Sequence, residues 1–228
     1  MGVTLRKIVY EIGGGIPGGK AFKAVQTGGP SGGCVPAQYL DMPVDFDSLS
    51  EVGAMMGSGG MIVMDENTCM VDVARYFTDF LSKESCGKCT PCREGVMQLR
   101  DILTDICEGR GQEGDLEFMT ELGEVIKDTA LCGLGNTAPN PLITTLRYFK
   151  EEYEEHIKDK KCRAGVCKAL ITYSIDAATC SACGRCRKAC PSGAIEGAKK
   201  VAHAIDPEKC IKCGACWEVC PEDAVQRR

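Results

Sequence analysis

The chain has 228 residues, 44% of them hydrophobic but only 6% aromatic, with 17 cysteines and a formal net charge of -5. This profile excludes a secreted disulfide scaffold, which would be shorter and would not cluster its cysteines so tightly, and the lack of any basic run excludes nucleic acid as the main partner. The most apolar stretch, Val52 to Met64, is interrupted by Gly53, Gly57, Gly59 and Gly60, so no membrane span is expected; without a charged-then-apolar leader, the chain reads as cytoplasmic.

Residues 1–64 are glycine-rich with short β-branched segments. Thr4 is placed to cap a helix through Leu5, Ile8, Val9 and Ile12, which Gly13-Gly14-Gly15 ends. Strands are expected at Phe22 to Gln26, about Val35 to Leu40, and Gly60 to Met64, separated by the Gly28 to Gly33 loop and the Pro43 region. Both glycine loops read as turns, because neither has the strand-loop-helix context that a dinucleotide site requires.

Residues 65–155 carry helical periodicity, and four helices with short links predict a bundle. The first shows Val73, Phe77, Phe80 and Leu81; the second Val96, Leu99, Leu103 and Ile106. A third follows Gly114-Asp115 with Leu116, Met119, Leu122, Val125 and Ile126; the fourth, with Pro141 in its first turn, shows Leu142, Leu146, Phe149 and Tyr153. Between the first two lies Glu84-Ser85-Cys86-Gly87-Lys88-Cys89-Thr90-Pro91-Cys92-Arg93-Glu94-Gly95. Cys86, Cys89 and Cys92 are spaced to bind one iron–sulfur cluster from a single loop. Cys132, between the third and fourth helices, is the expected fourth ligand of a [4Fe-4S] group. Lys88 and Arg93 would set positive charge beside it.

Residues 156–172 form a hinge with its own ligand pattern. His156, Cys162 and Cys167 are three borderline-soft ligands close together, as in a structural zinc site, with Cys69 or Cys107 open as the fourth. Cys69 opens the first helix of the bundle.

Residues 173–228 hold two copies of C-x2-C-x2-C-x3-C-P, at Cys180, Cys183, Cys186 and Cys190, and at Cys210, Cys213, Cys216 and Cys220. In this two-cluster ferredoxin pattern the fourth cysteine of each run ligates the other cluster. One cluster then takes Cys180, Cys183, Cys186 and Cys220, and the other Cys210, Cys213, Cys216 and Cys190. A shift of about 30 residues superimposes Gly184 on Gly214 and Ala194-Ile195 on Ala224-Val225, an internal repeat. His203 is expected in the linker between the halves, without a catalytic role.

Glu84 to Gly95 resembles, residue for residue, the iron–sulfur signature of the NADH-oxidising flavin subunit of respiratory complex I and of soluble hydrogenases. With Leu131 to Pro141 and the ferredoxin tail, the chain is similar to the subunit of NADP-reducing or electron-bifurcating iron-only hydrogenases, or of related formate dehydrogenases. The resemblance implies an α+β multidomain chain: a partial β-grasp unit of the soluble-ligand-binding (SLBB) type over 1–64, the four-helix iron–sulfur bundle, the zinc hinge and the two-cluster ferredoxin fold. It favours Cys69 as the fourth zinc ligand. It also implies an N-terminal flavin mononucleotide and NADH domain that has no counterpart here, and a β-grasp sheet with an unpaired edge. FMN and NAD(H) are therefore expected only through a missing domain or a partner chain, and the sequence reads as a fragment or split subunit.

No nucleophile–base pair or acid–base constellation outranks the metal ligands, so no complete catalytic site is expected. The resulting expectation is an electron relay with three [4Fe-4S] clusters and zinc, moving single electrons from a flavin. The partners implied are a thioredoxin-like [2Fe-2S] subunit, an iron-only hydrogenase or formate dehydrogenase subunit, and ferredoxin. A free-standing polyferredoxin-like carrier is the competing reading.

Overall fold

A computed structural model describes residues 2–198 and 200–227. In its N-terminal part the alternation of β-branched and small residues forms an antiparallel sheet with β1 (Phe22–Thr27) in the centre, β2 (Gly33–Pro36) on one side and β3 (Met61–Asp65) on the other. Val25 pairs with Val35 in β2 and with Val63 in β3. β2 stops earlier than its sequence suggests. Pro36 has no N–H to give a ladder, and Ala37–Tyr39 turn into a 3-10 helix. The outer edge of β3 has no strand beside it among the described residues, and Ile62 and Val63 there are exposed.

Thr4 does cap the first helical segment, its hydroxyl accepting from Lys7 N–H at 3.3 Å. The segment itself, Lys7–Ile12, is wound as a π-helix, with Gly13 N–H donating to the Ile8 carbonyl. Sequence periodicity overlooks α1 (Phe46–Glu51), which is too short to show a period; Asp45 starts it by accepting from Ser48 N–H at 2.8 Å. Leu5, Val25, Val35, Leu40, Val44, Leu49 and Val52 close a core between these pieces.

The helical layer follows with α2 (Met70–Glu84), α3 (Val96–Cys107), α4 (Asp115–Thr129), the short α5 (Gly133–Thr137) and α6 (Asn140–Glu154). A π-helical turn, Pro91–Gly95, leads into α3, and another, Glu155–Asp159, continues α6. Val71, Ala74, Leu81, Val96, Leu99, Leu103, Ile106, Met119, Ile126, Leu142 and Tyr153 form a single buried core. At roughly 0.8 kcal/mol per buried methylene, this is the largest apolar contribution in the chain. Phe80 and Val125, apolar and near helical spacing, point outward at 41% and 53% exposure. Phe77 and Leu81 already fill the α2 stripe.

Two polar contacts dock the sheet on the helices. Cys34 N–H donates to the Thr144 hydroxyl of α6 at 3.0 Å, satisfying a strand-edge donor. The Lys23 ammonium of β1 lies 2.6 Å from the carboxylate of Glu152 on α6, with both side chains nearly buried.

The tail contains β4 (Tyr173–Ile175), α7 (Arg185–Ala189), β5 (Ile195–Glu196), β6 (Ala204–Ile205), α8 (Ala215–Glu218) and β7 (Val225–Arg227). The pairing is crossed: β4 with β7, and β5 with β6, both antiparallel. The repeat extends to backbone angles, since Ala182 and Lys212 share φ 55 and Gly184 and Gly214 have φ 77 and 81. Arg227 reaches back to the Ala164 carbonyl and Lys212 to that of Ala169, tying the tail to the segment before it. Among the described residues, no helix is long and apolar enough to cross a membrane.

Candidate metal centres

Cys69, His156, Cys162 and Cys167 converge from the start of α2, the turn after α6 and the loop beyond it. Their ligand atoms all lie within 4.8 Å of one another, and all four residues are buried. The Cys69 and Cys167 sulfurs are 3.8 Å apart, and His156 Nε2 lies 3.3 Å from Cys69 and 3.4 Å from Cys167. A tetrahedral zinc with sulfur bonds of about 2.3 Å and nitrogen bonds of about 2.0 Å has S···S edges of roughly 3.8 Å and S···N edges of roughly 3.5 Å. The donor set therefore fits that ion. His156 Nδ1 donates to the Glu152 carbonyl at 2.6 Å, which leaves the Nε2 lone pair facing the thiols.

Cys162 is held far below the usual thiol range by hydrogen bonds from Cys167 and Cys69, with His156 adding to them. Cys69 is driven up by its bond to that thiolate and by burial. Cys107 stands within hydrogen-bond reach of Cys167 and raises it, but its sulfur is not among the converging four.

A second convergence lies at the end of the helical layer. Around Cys92 the structure gathers Cys86, Cys89 and Cys132; burial raises Cys92, and these neighbouring thiolates raise it further. Ser85 opposes the shift, its hydroxyl 3.3 Å from the Cys92 sulfur. The backbone N–H of Leu131, beside Cys132, leads the stabilisation of the Cys89 thiolate. Gly135 is required here. A Cβ on it would lie 2.5 Å from Ala130 Cβ and 3.2 Å from Cys92 Cβ. Arg93 is spent on the Gly87 carbonyl at 2.8 Å and on Glu94, so it braces the loop.

The crossed strand pairing of the tail brings the last cysteine of each run to the other run. β7 follows Cys220 and pairs with β4, which precedes Cys180, so Cys220 joins the first run; Cys186 is raised by burial and then by Cys180, Cys183 and Cys220. The β5–β6 pair does the same for Cys190, which lines one small cavity with Cys210, Cys213 and Cys216. Burial pushes Cys216 up to about 11. Four cysteines around a small cavity are the donor chemistry of a [4Fe-4S] group.

Sequence reasoning did not single out Ser85 as a hydrogen-bond partner, and it missed Lys23 and Glu152. Glu152 is buried, accepts Met70 N–H at 3.0 Å and thereby fixes the helix end beside Cys69, while its carbonyl orients His156. Its place four residues before a candidate ligand on a helix is the signal that was available. His203, expected to be bland, is buried with Nδ1 4.0 Å from the Cys180 sulfur.

Residues 72–156 match the NADH-ubiquinone oxidoreductase-F iron-sulfur binding region, and residues 172–222 match the 4Fe-4S dicluster domain. NADP-reducing hydrogenase subunit HndC of Solidesulfovibrio fructosivorans is 55% identical over 89% of this chain and 41% of its own length. The NADH-quinone oxidoreductase F subunit of Streptomyces coelicolor is 39% identical over 71% of this chain and 36% of its own. The chain thus spans about two fifths of the length of these relatives. Among solved structures, an NAD+-reducing [NiFe]-hydrogenase in its H2-reduced state aligns with TM-score 0.60 and 30% identity over 69% of this chain and 26% of that one.

Proposed function

Given that the chain belongs to the family of NADP-reducing hydrogenase subunit HndC and the NADH-quinone oxidoreductase F subunits, we propose that it is the electron-relay portion of an NAD(P)-linked oxidoreductase. It passes single electrons from a flavin to clusters on partner subunits or to ferredoxin. The observation that carries this reading is the grouping of twelve cysteines into three four-thiol sets, each drawn together from separate loops.

Residues 1–64 are read as a partial soluble-ligand-binding β-grasp unit, 65–155 as the four-helix iron–sulfur bundle, 156–172 as the zinc hinge and 173–228 as the ferredoxin-type domain. FMN and NAD(H) would reach this relay through a further domain or a partner chain. The partners are the other subunits of such a complex: a thioredoxin-like [2Fe-2S] subunit, and a hydrogenase or formate dehydrogenase subunit.

Bound [4Fe-4S] groups supply one-electron couples, which transfer charge without making or breaking bonds. The residues of this chain do the rest. Cys86, Cys89, Cys92 and Cys132 would hold the group at the helical end, with Ser85 and the Leu131 backbone amide offsetting the negative charge that reduction adds. Ile195, Ile205 and Tyr173 give the cavity of Cys190, Cys210, Cys213 and Cys216 an apolar lining. Cys69, His156, Cys162 and Cys167 would hold zinc, which has no redox chemistry and therefore acts as a staple between helices and tail.

The test uses the assembled complex. After rapid mixing with NADH and freeze-quenching, electron paramagnetic resonance follows the reduction of the helical-end cluster and of the tail pair. In Cys132→Ala the tail signals should no longer develop with NADH, yet should still appear with dithionite. Tail reduction by NADH at the wild-type rate in that variant would overturn the relay in favour of an independent carrier.

A further inference from the structure

The two halves of the tail place different side chains at equivalent positions. His203 lies 30 residues after Tyr173, the offset that superimposes Gly214 on Gly184. The structure makes them equivalent in space as well. Tyr173 Oη comes within 3.0 Å of a Cβ built on Gly214, and His203 Nε2 within 4.0 Å of one built on Gly184. Each ring therefore covers the cysteine loop of one thiol set: Tyr173 that of Cys210, Cys213 and Cys216, and His203 that of Cys180, Cys183 and Cys186.

The tyrosine hydroxyl lies against Gly214 and bonds Arg227, and the residue lines the cavity of Cys190, Cys210, Cys213 and Cys216. The imidazole differs, because Nδ1 faces the Cys180 sulfur at 4.0 Å. His203 is 5% exposed, and it is seated closely: a Cβ on Gly197 would fall 2.6 Å from its ring, so only glycine leaves room. Arg187 fixes that glycine by donating to its carbonyl at 3.0 Å.

We propose that His203, with its proton on Nδ1, is a positioning residue that donates to the Cys180 thiolate and raises the reduction potential of the cluster held by Cys180, Cys183, Cys186 and Cys220. This rests on the relay reading above. Reduction adds one electron to the cluster and spreads negative charge onto its sulfurs, so an N–H···S contact strengthens in the reduced state and favours it. In the other half a tyrosine stands in place of this imidazole, and the Cys210 sulfur accepts from the Lys212 backbone N–H at 3.4 Å.

The test is a redox titration of the anaerobically reconstituted full chain followed by electron paramagnetic resonance. Paramagnetically shifted cysteine β-proton resonances assign each midpoint to its cluster. In His203→Tyr, which copies the other half, the reduced-to-oxidised ratio of the Cys180 cluster at the wild-type midpoint should fall about tenfold, a downward shift of about 59 mV for one electron. The other two clusters should not move. His203→Gln, which keeps an N–H donor, should recover part of the shift, and Tyr173→His should raise the Cys210 cluster. An unchanged midpoint in His203→Tyr at full iron content, or a shift on the Cys210 cluster instead, overturns the proposal. Should His203→Tyr lose iron, Tyr173→His decides alone, and no rise of the Cys210 cluster rejects it. Wild-type chain that cannot be loaded with the tail clusters counts against the relay reading, not against His203 in particular.

Discussion

Replacing Glu152 by alanine should damage both the fold and the proposed zinc site, although Glu152 is not among its four candidate ligands. Its carboxylate binds Lys23 at 2.6 Å and accepts Met70 N–H at 3.0 Å, with the Lys23 and Glu152 side chains only 12% and 4% exposed. Removing one partner of a buried ion pair costs about 3–5 kcal/mol, since the remaining charge stays desolvated. Lys23 keeps a bond to the Thr68 carbonyl at 2.5 Å, which places the loss toward the lower end, while the orphaned Met70 N–H adds about 1 kcal/mol or more. Because Met70 follows Cys69 directly, losing this clamp should weaken zinc binding about 10–100-fold, as outer-shell substitutions do. Chelator competition gives the affinity, and chemical unfolding of the zinc-loaded protein gives the stability. Lys23→Met combined with Glu152→Leu removes both charges and should regain most of the stability without regaining the affinity. Zinc affinity within about twofold of wild type in Glu152→Ala, with unfolding unchanged, would refute the reasoning.

Other positions give sharper single readouts. Gly135→Ala should expel the helical-end cluster, because its Cβ meets two fixed Cβ atoms at 2.5 and 3.2 Å; iron analysis should show the loss of one cluster's iron, and full content contradicts the packing argument. Ser85→Ala removes the hydroxyl 3.3 Å from Cys92 and should lower the potential of that cluster by tens of millivolts, about 59 mV being a tenfold change; an unchanged or raised midpoint in a redox titration rejects this role. Burial pushes the Cys34 thiol up to about 12, so the reactive thiolate is scarce at about pH 8. Alkylation of the native, metal-loaded protein at that pH should leave Cys34 unmodified by mass spectrometry, and rapid labelling there would show that the sheet–helix junction opens.

What the sequence disclosed depended on how local each constraint is. Three cysteines two residues apart announce a loop wrapped around a metal, because ligand geometry is set within a dozen residues. The approach of Cys220 to the Cys180 run and of Cys190 to the Cys210 run was legible differently, through the repeated motif and its known crossed spacing. The partnership of Lys23 with Glu152 was not: it joins a strand to a helix far along the chain and has no periodic trace. α1 escaped notice because six residues, with Phe46 exposed and Leu49 buried, are too few to reveal a helical stripe. His203 looked like linker in a segment of small and charged residues, and its burial depends on the β5–β6 pairing and on the space left at Gly197. Phe80 and Val125 show the converse, apolar spacing at positions where the stripe was already full.

The central claim is that three four-cysteine sets hold three separate one-electron centres. A redox titration of the reconstituted chain, monitored by electron paramagnetic resonance with iron and sulfide quantified on the same sample, tests it most directly. The account predicts iron and sulfide for three [4Fe-4S] groups and three reversible one-electron reductions, with Cys132→Ala abolishing one and Cys183→Ala another. Fewer than three reducible centres at full loading, or iron that stays redox-silent, would contradict it.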